Sequence, residues 1–366
     1  MTRSDSLLNA DWRATVEKLG GAAHLAVTAR ETKAFQRGRV IRDPVVLLRL
    51  VLAYCLGEHG LRLTAVWAAA IGLADISNVG LLYRLRQCDA WLQRLVGQVL
   101  ATRATPAAKG RLVRLIDATT VPKAARSERC RNGVWRIHGA FDLPGERFGH
   151  FEVTDEKGGE QLDLIPVVRG EIRIADAAYV QPERIAAVLA KGADVLVRTA
   201  WRNGRWLDRN GALFDFIAAF KAASGGLIDQ PIRLHRAGGE PLNLRLVAAR
   251  LPPEAAEAAR RRARRAAQKR GGTVSAEALI AAEWVVVVTS LSAEEFSTGD
   301  TLALYRLRWR VELAFKRLKS IIGLKGPPGT DERSARAFIL AHLLMILLLE
   351  PLIDGFEDSP HWGQAA

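Results

Sequence analysis

The chain has 366 residues, of which 49% are hydrophobic and 25% are charged, the balance of a globular protein with two or three domains. A formal net charge of +14 and a pI of about 10.2 favour a polyanionic partner such as a nucleic acid. Three cysteines without a CxxC pair argue against a zinc ribbon and a disulfide framework. The N-terminus has no apolar signal segment, and the apolar run 337–353 is short for a membrane span. We therefore expect a cytoplasmic protein with no membrane partner.

Residues 61–88 have the rhythm of two short helices around a tight turn. Thr64 is predicted to cap the first helix, and Ser77 stands where the N-cap of the second belongs. The second helix carries Arg84 and Arg86, which are candidate DNA contacts. This outline is that of a helix-turn-helix, although many helical hairpins share it.

From residue 111 the pattern becomes that of strands. RLVRLIDATT, WRIHGAFDL and RFGHFEVTD are predicted as three strands, EIRIAD ends another, and PERIAAVLAKG is a helix before the strand ADVLVRT. We interpret the order as three strands followed by alternating helices and strands, as expected of a ribonuclease-H-like core. The predicted fold class is α/β, with that catalytic core, a β-rich insertion and an all-α N-terminal DNA-binding domain.

Four parts of the chain are predicted from these patterns. The helical DNA-binding domain covers 1–105, and the core covers 106–199 and 293–325. The insertion covers 200–292, and a helical segment covers 326–366.

Two aspartates each end an apolar strand, Asp117 in VRLID and Asp176 in EIRIAD. Ligands gather at the carboxyl ends of strands in open sheets. Together with Glu312 from a helix, these acids can converge on two Mg²⁺ or Mn²⁺ ions about 3.5–4 Å apart. A single aspartate at a strand end is more often a cap or turn residue, but the conjunction of three acids favours a metal site.

Tyr305, Arg308, Glu312 and Lys319 stand at i, i+3, i+7 and i+14. On one continuous helix from about 297 to 321, these positions fall within roughly a 60° arc. A solvated face held by local ion pairs is the structural alternative. The functional interpretation is an acid that holds metal, flanked by groups that hold the phosphates of a substrate.

The spacing of these four residues resembles the signature of bacterial DDE transposases of the insertion-sequence-four family, to which the transposase of transposon five belongs. IDATTV around Asp117 and DAAY from Asp176 resemble that family's first and second acidic motifs. WRIHGAFDL resembles the strand between them, and the resemblance covers essentially the whole chain. One departure is visible, because two alanines follow Asp176 where the family usually has Arg-Gly.

The resemblance implies a transposase that cleaves transposon ends and joins them to target DNA by cut-and-paste chemistry, either with or without a hairpin intermediate. The implied ligands of two Mg²⁺ or Mn²⁺ ions are Asp117, Asp176 and Glu312. The implied phosphate contacts are Tyr305, Arg308 and Lys319. Its partners would be double-stranded DNA, as terminal inverted repeats and target, and a second copy in a homodimer on paired ends. The location would be the bacterial cytoplasm, in association with the nucleoid.

Other residues leave alternatives open. Trp201 and Trp206 could stack on an extruded base, but packing on their own sheet is favoured. The basic run 260–270 is either a DNA contact or a solvated helix, and His138 is expected in the core. Alternative functions are a catalytically inactive DNA-binding regulator of a related mobile element and a nuclease for structured nucleic acid.

Overall fold

The computed structural model describes residues 3–57, 59–101, 110–124, 133–143, 145, 147–321 and 326–353. Its N-terminal part is helical, as predicted. The helices are α1 (Arg3–Lys18), α2 (Gly21–Glu31), α3 (Pro44–Leu56), α4 (Leu61–Ala70), α5 (Asn78–Arg86) and α6 (Asp89–Ala101).

Nine strands within the described ranges form one mixed sheet. They are β1 (Val113–Pro122), β2 (Val134–Leu143), β3 (Arg147–Asp155), β4 (Ile172–Ala175), β5 (Asp194–Arg198), β6 (Trp206–Leu207), β7 (Leu227–Leu234), β8 (Leu242–Arg250) and β9 (Trp284–Thr289). Their order is β3-β2-β1-β4-β5-β9-β8-β7-β6. The first three strands pair antiparallel, β4 and β5 run parallel to β1, and β9 is antiparallel to β5. The predicted α/β class is confirmed at this level, and the strands of the insertion extend the same sheet.

Helices cover both faces of the sheet. They are α7 (Pro182–Ala190), α8 (Phe216–Ala222), α9 (Pro253–Lys269), α10 (Ala276–Ala282), α11 (Thr298–Arg306), α12 (Trp309–Ile321) and α13 (Glu332–Ile353). Successive strand side chains point to opposite faces. Leu115, Ile174 and Val287 therefore join the core beneath α6, α11, α12 and α13. Val195 and Val288 join the other core, against α7 and α8.

The two helices of the predicted helix-turn-helix exist as α4 and α5, but only one predicted cap is confirmed. Ser77 caps α5, its hydroxyl accepting a hydrogen bond from the Gly80 amide at 3.1 Å. The Thr64 prediction is wrong, because α4 begins at Leu61 after Gly60. Thr64 lies one turn inside α4, where its buried hydroxyl donates to the Gly60 carbonyl at 3.2 Å.

The N-terminal helices and the sheet share one hydrophobic core. The C-terminal helix α13 packs against α6, α3 and α5, and α6 packs against β3. Trp91 of α6 is fully buried and donates its indole N–H to Thr28 of α2 at 3.0 Å. Across the described ranges, none of the helices has both the length and the apolar content needed to cross a bilayer. The predicted boundaries near 105 and 325 adjoin segments outside the described residues.

A buried ionic network fixes the pairing of β1 with β4. Arg114 Nε lies 2.9 Å from Asp142 Oδ1 on β2, and Arg114 Nη1 lies 3.3 Å from Glu171 Oε2. Glu171 Oε1 accepts from Arg173 Nε at 2.6 Å. Arg173 also donates to the Ile165 and Pro166 carbonyls at 2.9 and 2.6 Å, which holds the chain that leads into β4. Charges buried in this way are tolerated because each has an opposite partner.

Removal of one member should therefore be costly. We expect Glu171→Ala to lower the free energy of unfolding by about 3–5 kcal/mol, because it removes the carboxylate that pairs with the buried Arg173 guanidinium. Urea unfolding followed by circular dichroism measures this. Glu183→Ala, which breaks the solvent-exposed pair with Arg236, is the matched control and should change stability little. Equal losses in the two variants would contradict the assigned role of the network.

Buried His138 predicts a dependence of stability on pH. Its Nε2 lies 2.9 Å from Thr154 Oγ1, and burial, assisted by Arg136, lowers the pKa of the imidazole from 6.5 to about 4. The unfolded chain therefore binds more protons between these values, so this stabilisation is complete above pH 6.5 and is lost as pH falls towards 4. His138→Gln should weaken the pH dependence of urea unfolding in that window. His59→Gln, at an exposed position, should keep the wild-type dependence.

Candidate active site

The two aspartates lie side by side at the carboxyl ends of neighbouring parallel strands. Leu115 of β1 is in register with Ile174 of β4, so the same register carried two residues further aligns Asp117 with Asp176. The period of two along a strand also places both on the face that Leu115 and Ile174 share. This is the face covered by α11 and α12. The register therefore places the two predicted acids beside each other at this edge of the sheet.

Backbone amides orient both carboxylates. Asp117 Oδ1 accepts a hydrogen bond from the Ala118 amide at 2.8 Å. β4 stops at Ala175, and Asp176 then caps a short 3-10 helix, Ala177–Tyr179, by accepting from the Ala178 amide at 2.8 Å. The alanines that replace the Arg-Gly of the resembled motif thus supply a backbone donor, which needs no particular side chain.

The helix that carries Glu312 is shorter than predicted. The single helix expected from about 297 to 321 is wrong, because the chain turns between α11 and α12 at Leu307 and Arg308. Tyr305 therefore belongs to α11, Arg308 to the turn, and Glu312 to the first turn of α12. The arc calculated for one continuous helix does not apply, and the grouping of these side chains is a tertiary effect.

Close packing on β2 holds α12 against the sheet. Gly139 of β2 is the register partner of Asp117, and Phe315 of α12 lies directly over it. A Cβ at position 139 would come within 2.8 Å of Phe315 Cζ and 2.9 Å of Phe148 Cε1. Phe315 follows Glu312 by three residues and so lies on the same side of the helix. The absence of a side chain at Gly139 therefore sets how near Glu312 approaches Asp117.

The electrostatics place the three acids and Arg308 within range of one another. Burial raises the pKa of Asp117 to about 6, and the negative charges of Asp176 and Glu312 add to the rise. The Ala118 amide and the Arg308 guanidinium act in the opposite direction. Arg308 forms an ion pair with Glu312. Asp117 thus lies in partly desolvated surroundings, where two acids and one guanidinium act on it in opposite directions.

The acids are not assembled into a closed ligand set. Among the residues that the structure describes, no group of three Asp, Glu, His or Cys side chains lies close enough to hold a metal ion. Glu312 is engaged by Arg308 instead. The donor set nevertheless fits a hard divalent cation, because two half-buried aspartates and an exposed glutamate offer carboxylate oxygens only.

Tyr305 and Lys319 belong to different helices, α11 and α12. Tyr305 is largely buried, which raises the pKa of its phenol, while the charge of Arg308 opposes this rise. Lys319 Nζ donates to the Thr120 carbonyl at 3.0 Å, three residues beyond Asp117 on β1. α12 therefore runs alongside β1 in the same direction, from Glu312 near Asp117 to Lys319 near Thr120.

The two tryptophans of the WRNGRW segment have different environments. Trp206 is buried in β6, donates its indole N–H to the Asn203 carbonyl at 2.6 Å and packs edge-on against Phe216. A ring in this position cannot stack on a base, so the suggested DNA contact is corrected to a core role. Trp201 is half-buried, and the Arg202 guanidinium lies 4.0 Å from its ring centroid.

Asn203, which sequence reasoning missed, ties the insertion to the acids. Its Nδ2 donates to the Ala177 carbonyl at 2.6 Å, next to Asp176. Thr199 and Trp206 in turn donate to the Asn203 carbonyl. In the sequence it is an asparagine in a Gly-containing turn, and nothing in the pattern distinguishes it from an ordinary turn residue.

The two predicted DNA contacts on α5, Arg84 and Arg86, belong to the N-terminal helices and precede the acids in the chain. Arg86 Nε lies 3.2 Å from Asp331 Oδ1 at the start of α13, so this side chain joins two helices. Arg84 lines a cleft of about 400 Å³ together with Arg37, Arg39 and the exposed Tyr83. The two arginines before α3 were not among the predicted contacts, because they lie in a connecting segment without periodicity.

Comparisons with known proteins show which family the chain resembles. Residues 108–348 match the family model described as the transposase DDE domain. The chain is 36% identical over 360 residues to the protein named "Putative transposase InsL for insertion sequence element IS186A" of Escherichia coli (strain K12). It is also 36% identical over 361 residues to the "Transposase for insertion sequence element IS421" of Escherichia coli. Each alignment covers 96% of both chains.

The chain belongs to the DDE transposase family. The matched region begins just before β1 and ends within α13, so it includes all three predicted acids of this DDE transposase. The alignments with the relatives also cover the N-terminal helices, which lie outside the matched domain.

The contact between Gly139 and Phe315 gives a test of how α12 is seated. We expect Gly139→Ala to lower the free energy of unfolding by about 1–3 kcal/mol, because the added methyl group overpacks two aromatic rings. Adding Phe315→Leu should recover part of the loss, so the double variant is more stable than the sum of the single changes predicts. Calorimetry measures the effects. Gly159→Ala, where a Cβ would meet no atom within 4 Å, is the control, and simple additivity would contradict the contact.

Proposed function

We propose that this protein is a DNA transposase that cleaves the ends of a mobile element and joins them to target DNA. Asp117, Asp176 and Glu312 would be the ligands of two divalent cations. The observation that carries the proposal is the in-register placement of the two aspartates on the face covered by α12, in a chain whose residues 108–348 match the transposase DDE domain. The names of the relatives support the same activity.

The residues around the acids suit a phosphodiester substrate. Two Mg²⁺ or Mn²⁺ ions, when bound, would supply Lewis-acid activation of the attacking water and neutralise charge at the leaving oxygen. Arg308 is placed to exchange Glu312 for a DNA phosphate, since one guanidinium group can pair with either anion. Lys319 at the far end of α12 would hold a second phosphate, and Tyr305 would support the turn that carries Arg308. Together these groups would keep the scissile bond in line with the acids.

The architecture supports a finer assignment. The order β3-β2-β1-β4-β5, with β4 and β5 parallel to β1, is consistent with a ribonuclease-H-like core. We propose that residues 106–199 and 293–325 form this core, that 200–292 form the insertion, and that 326–366 form a C-terminal helical segment. The signature spacing is consistent with membership of the insertion-sequence-four family.

The helical region 1–105 would bind the terminal inverted repeats through α4 and α5. Arg84, with Arg37 and Arg39 beside it, is the better-placed contact, because Arg86 is engaged by Asp331. A homodimer on paired ends, in the bacterial cytoplasm at the nucleoid, completes the proposal. This arrangement would prevent cleavage of a single end.

Glu312→Gln tests the chemistry. The change keeps the size of the side chain and removes its charge, so we expect the rate of metal-dependent cleavage to fall at least about a hundredfold. DNA binding should persist or tighten, because Arg308 is released from its ion pair. The substrate is a linear duplex that carries the element's own ends, with Mg²⁺ or Mn²⁺. Cleavage is followed on denaturing gels and binding by fluorescence anisotropy.

Glu17→Gln, at an exposed position on α1, is the matched control and should cleave at the wild-type rate. Binding without cleavage by the wild-type protein in both metals would overturn the proposal in favour of a DNA-binding regulator. Unimpaired cleavage by Glu312→Gln would remove Glu312 from the ligand set.

A further inference from the structure

The basic helix α9 has one flank on which the charges are paired. Arg260 Nη2 lies 2.6 Å from Glu257 Oε2, and Arg260 also pairs with Glu283. Arg264 Nη1 lies 3.6 Å from Glu257 Oε1. The pair with Glu283 holds the helix to the residue before β9, and the three contacts involve only two of the six arginines between residues 260 and 270.

A second face of α9 is basic and unpaired. Arg261, Arg262, Arg265 and Lys269 are all exposed, and none forms an ion pair with a carboxylate within the described ranges of the chain. At about 100° per residue, these four side chains occupy an arc of roughly 100°. We call them the arginine face.

The arginine face has no evident role in folding. Arg261 and Arg265, and Arg265 and Lys269, are four residues apart, and like charges at this spacing destabilise a helix by a few tenths of a kcal/mol, about 0.2–0.5. Of the α9 side chains, Ala256 alone is buried in the described structure. The face therefore costs stability in the free protein, and a bound polyanion would relieve the repulsion.

The topology brings α9 to the edge of the sheet where the acids lie. β5 is parallel to β4, and β9 is antiparallel to β5, with Arg198 opposite Val287. The amino end of β9 therefore shares an edge with the carboxyl ends of β1 and β4. Arg250, the last residue of β8, pairs with Trp284, the first of β9, so α9 and α10 leave the sheet at that same edge.

Two contacts connect the helices between β8 and β9 to the residues beside Asp176. Asn203 donates to the Ala177 carbonyl beside Asp176, and the neighbouring Arg202 lies 3.5 Å from Glu277 of α10. Three strand spacings separate β4 from β8. At about 4.8 Å for each spacing, β4 and β8 are roughly 14 Å apart across the sheet. This separation is less than the length of one turn of duplex DNA, about 34 Å.

We propose that the arginine face is a second DNA-binding surface, which grips the phosphate backbone of duplex DNA within about one helical turn of the bond presented to the acids. Guanidinium groups pair with phosphate in a forked geometry, and a row of them needs no particular base sequence. The inference rests on the proposed function only in taking duplex DNA as the partner. It adds a surface in the insertion that is separate from the helices α4 and α5.

The test compares two variants that each lose two positive charges. Arg261→Gln/Arg265→Gln removes the centre of the arginine face and keeps good helix formers. Arg169→Gln/Lys191→Gln removes two exposed charges at the starts of β4 and β5, on the opposite edge of the sheet. Anisotropy in EDTA gives the dissociation constants for two labelled duplexes of about 40 base pairs, roughly four helical turns. One duplex carries the element's end, and the other has an unrelated sequence.

We expect the arginine-face variant to bind both duplexes about tenfold or more weakly, by similar factors. The slope of log K against log salt should become shallower by up to about 1.8, at about 0.9 for each lost phosphate contact. The control variant should match the wild type. Unchanged affinity and slope, an equal loss in the control, or a loss confined to the element's end would each overturn the inference.

Failure of this inference is distinguishable from failure of the proposed function. Binding is measured without metal, so it does not depend on catalysis. If the wild type binds through the arginine face but cleaves nothing with Mn²⁺, the proposed chemistry fails and the surface stands. If cleavage is normal and the arginine-face variant binds like the wild type, the chemistry stands and the surface fails.

Discussion

The parallel pairing of β1 with β4 is the constraint on which the candidate active site depends. Because side chains alternate along a strand, a slip of one residue would turn Asp176 to the opposite face of the sheet from Asp117. The network of Arg114, Glu171 and Arg173 resists such a slip, since these charges meet only in the observed register. Buried charge at the amino ends of the strands thus determines geometry at their carboxyl ends. Because the register is fixed at one end of the strands, polar groups can be exposed at the other end without disturbing the strand pairing.

The position of the third acid, Glu312, depends on side-chain packing and not on hydrogen bonds between strands. α12 is seated by Phe315 over Gly139, and the turn before it brings Arg308 against Glu312. Among the described residues, the three acids do not form a metal-binding group. Under the proposed function, exchange of the ion pair between Arg308 and Glu312 for a DNA phosphate would couple DNA binding to assembly of the site. Asn203 gives the insertion a similar connection to Asp176.

Some surface charges form ion pairs that stabilise the fold, and others are available for binding. Arg86 links α5 to Asp331 just before α13, and Arg260 links α9 to Glu283 just before β9. A basic side chain is therefore not by itself evidence of a DNA contact. The cations without carboxylate partners in the described residues include the arginine face at the edge of the sheet that bears the acids. A net charge of +14 is consistent with both uses, and only the pairing pattern separates them.

The sequence by itself determined the strands around Asp117 and Asp176 and the class of the fold, and it was enough to predict the three acids. These features are local: apolar alternation, an acid at a strand end and a fixed spacing of side chains. It failed where the outcome depends on distant parts of the chain. The break between α11 and α12, the burial of Trp206 and the bond from Asn203 were all decided by tertiary packing. The pattern along a chain indicates which residues can lie on one face of a helix or strand. Which faces pack together is decided by cores that combine segments hundreds of residues apart.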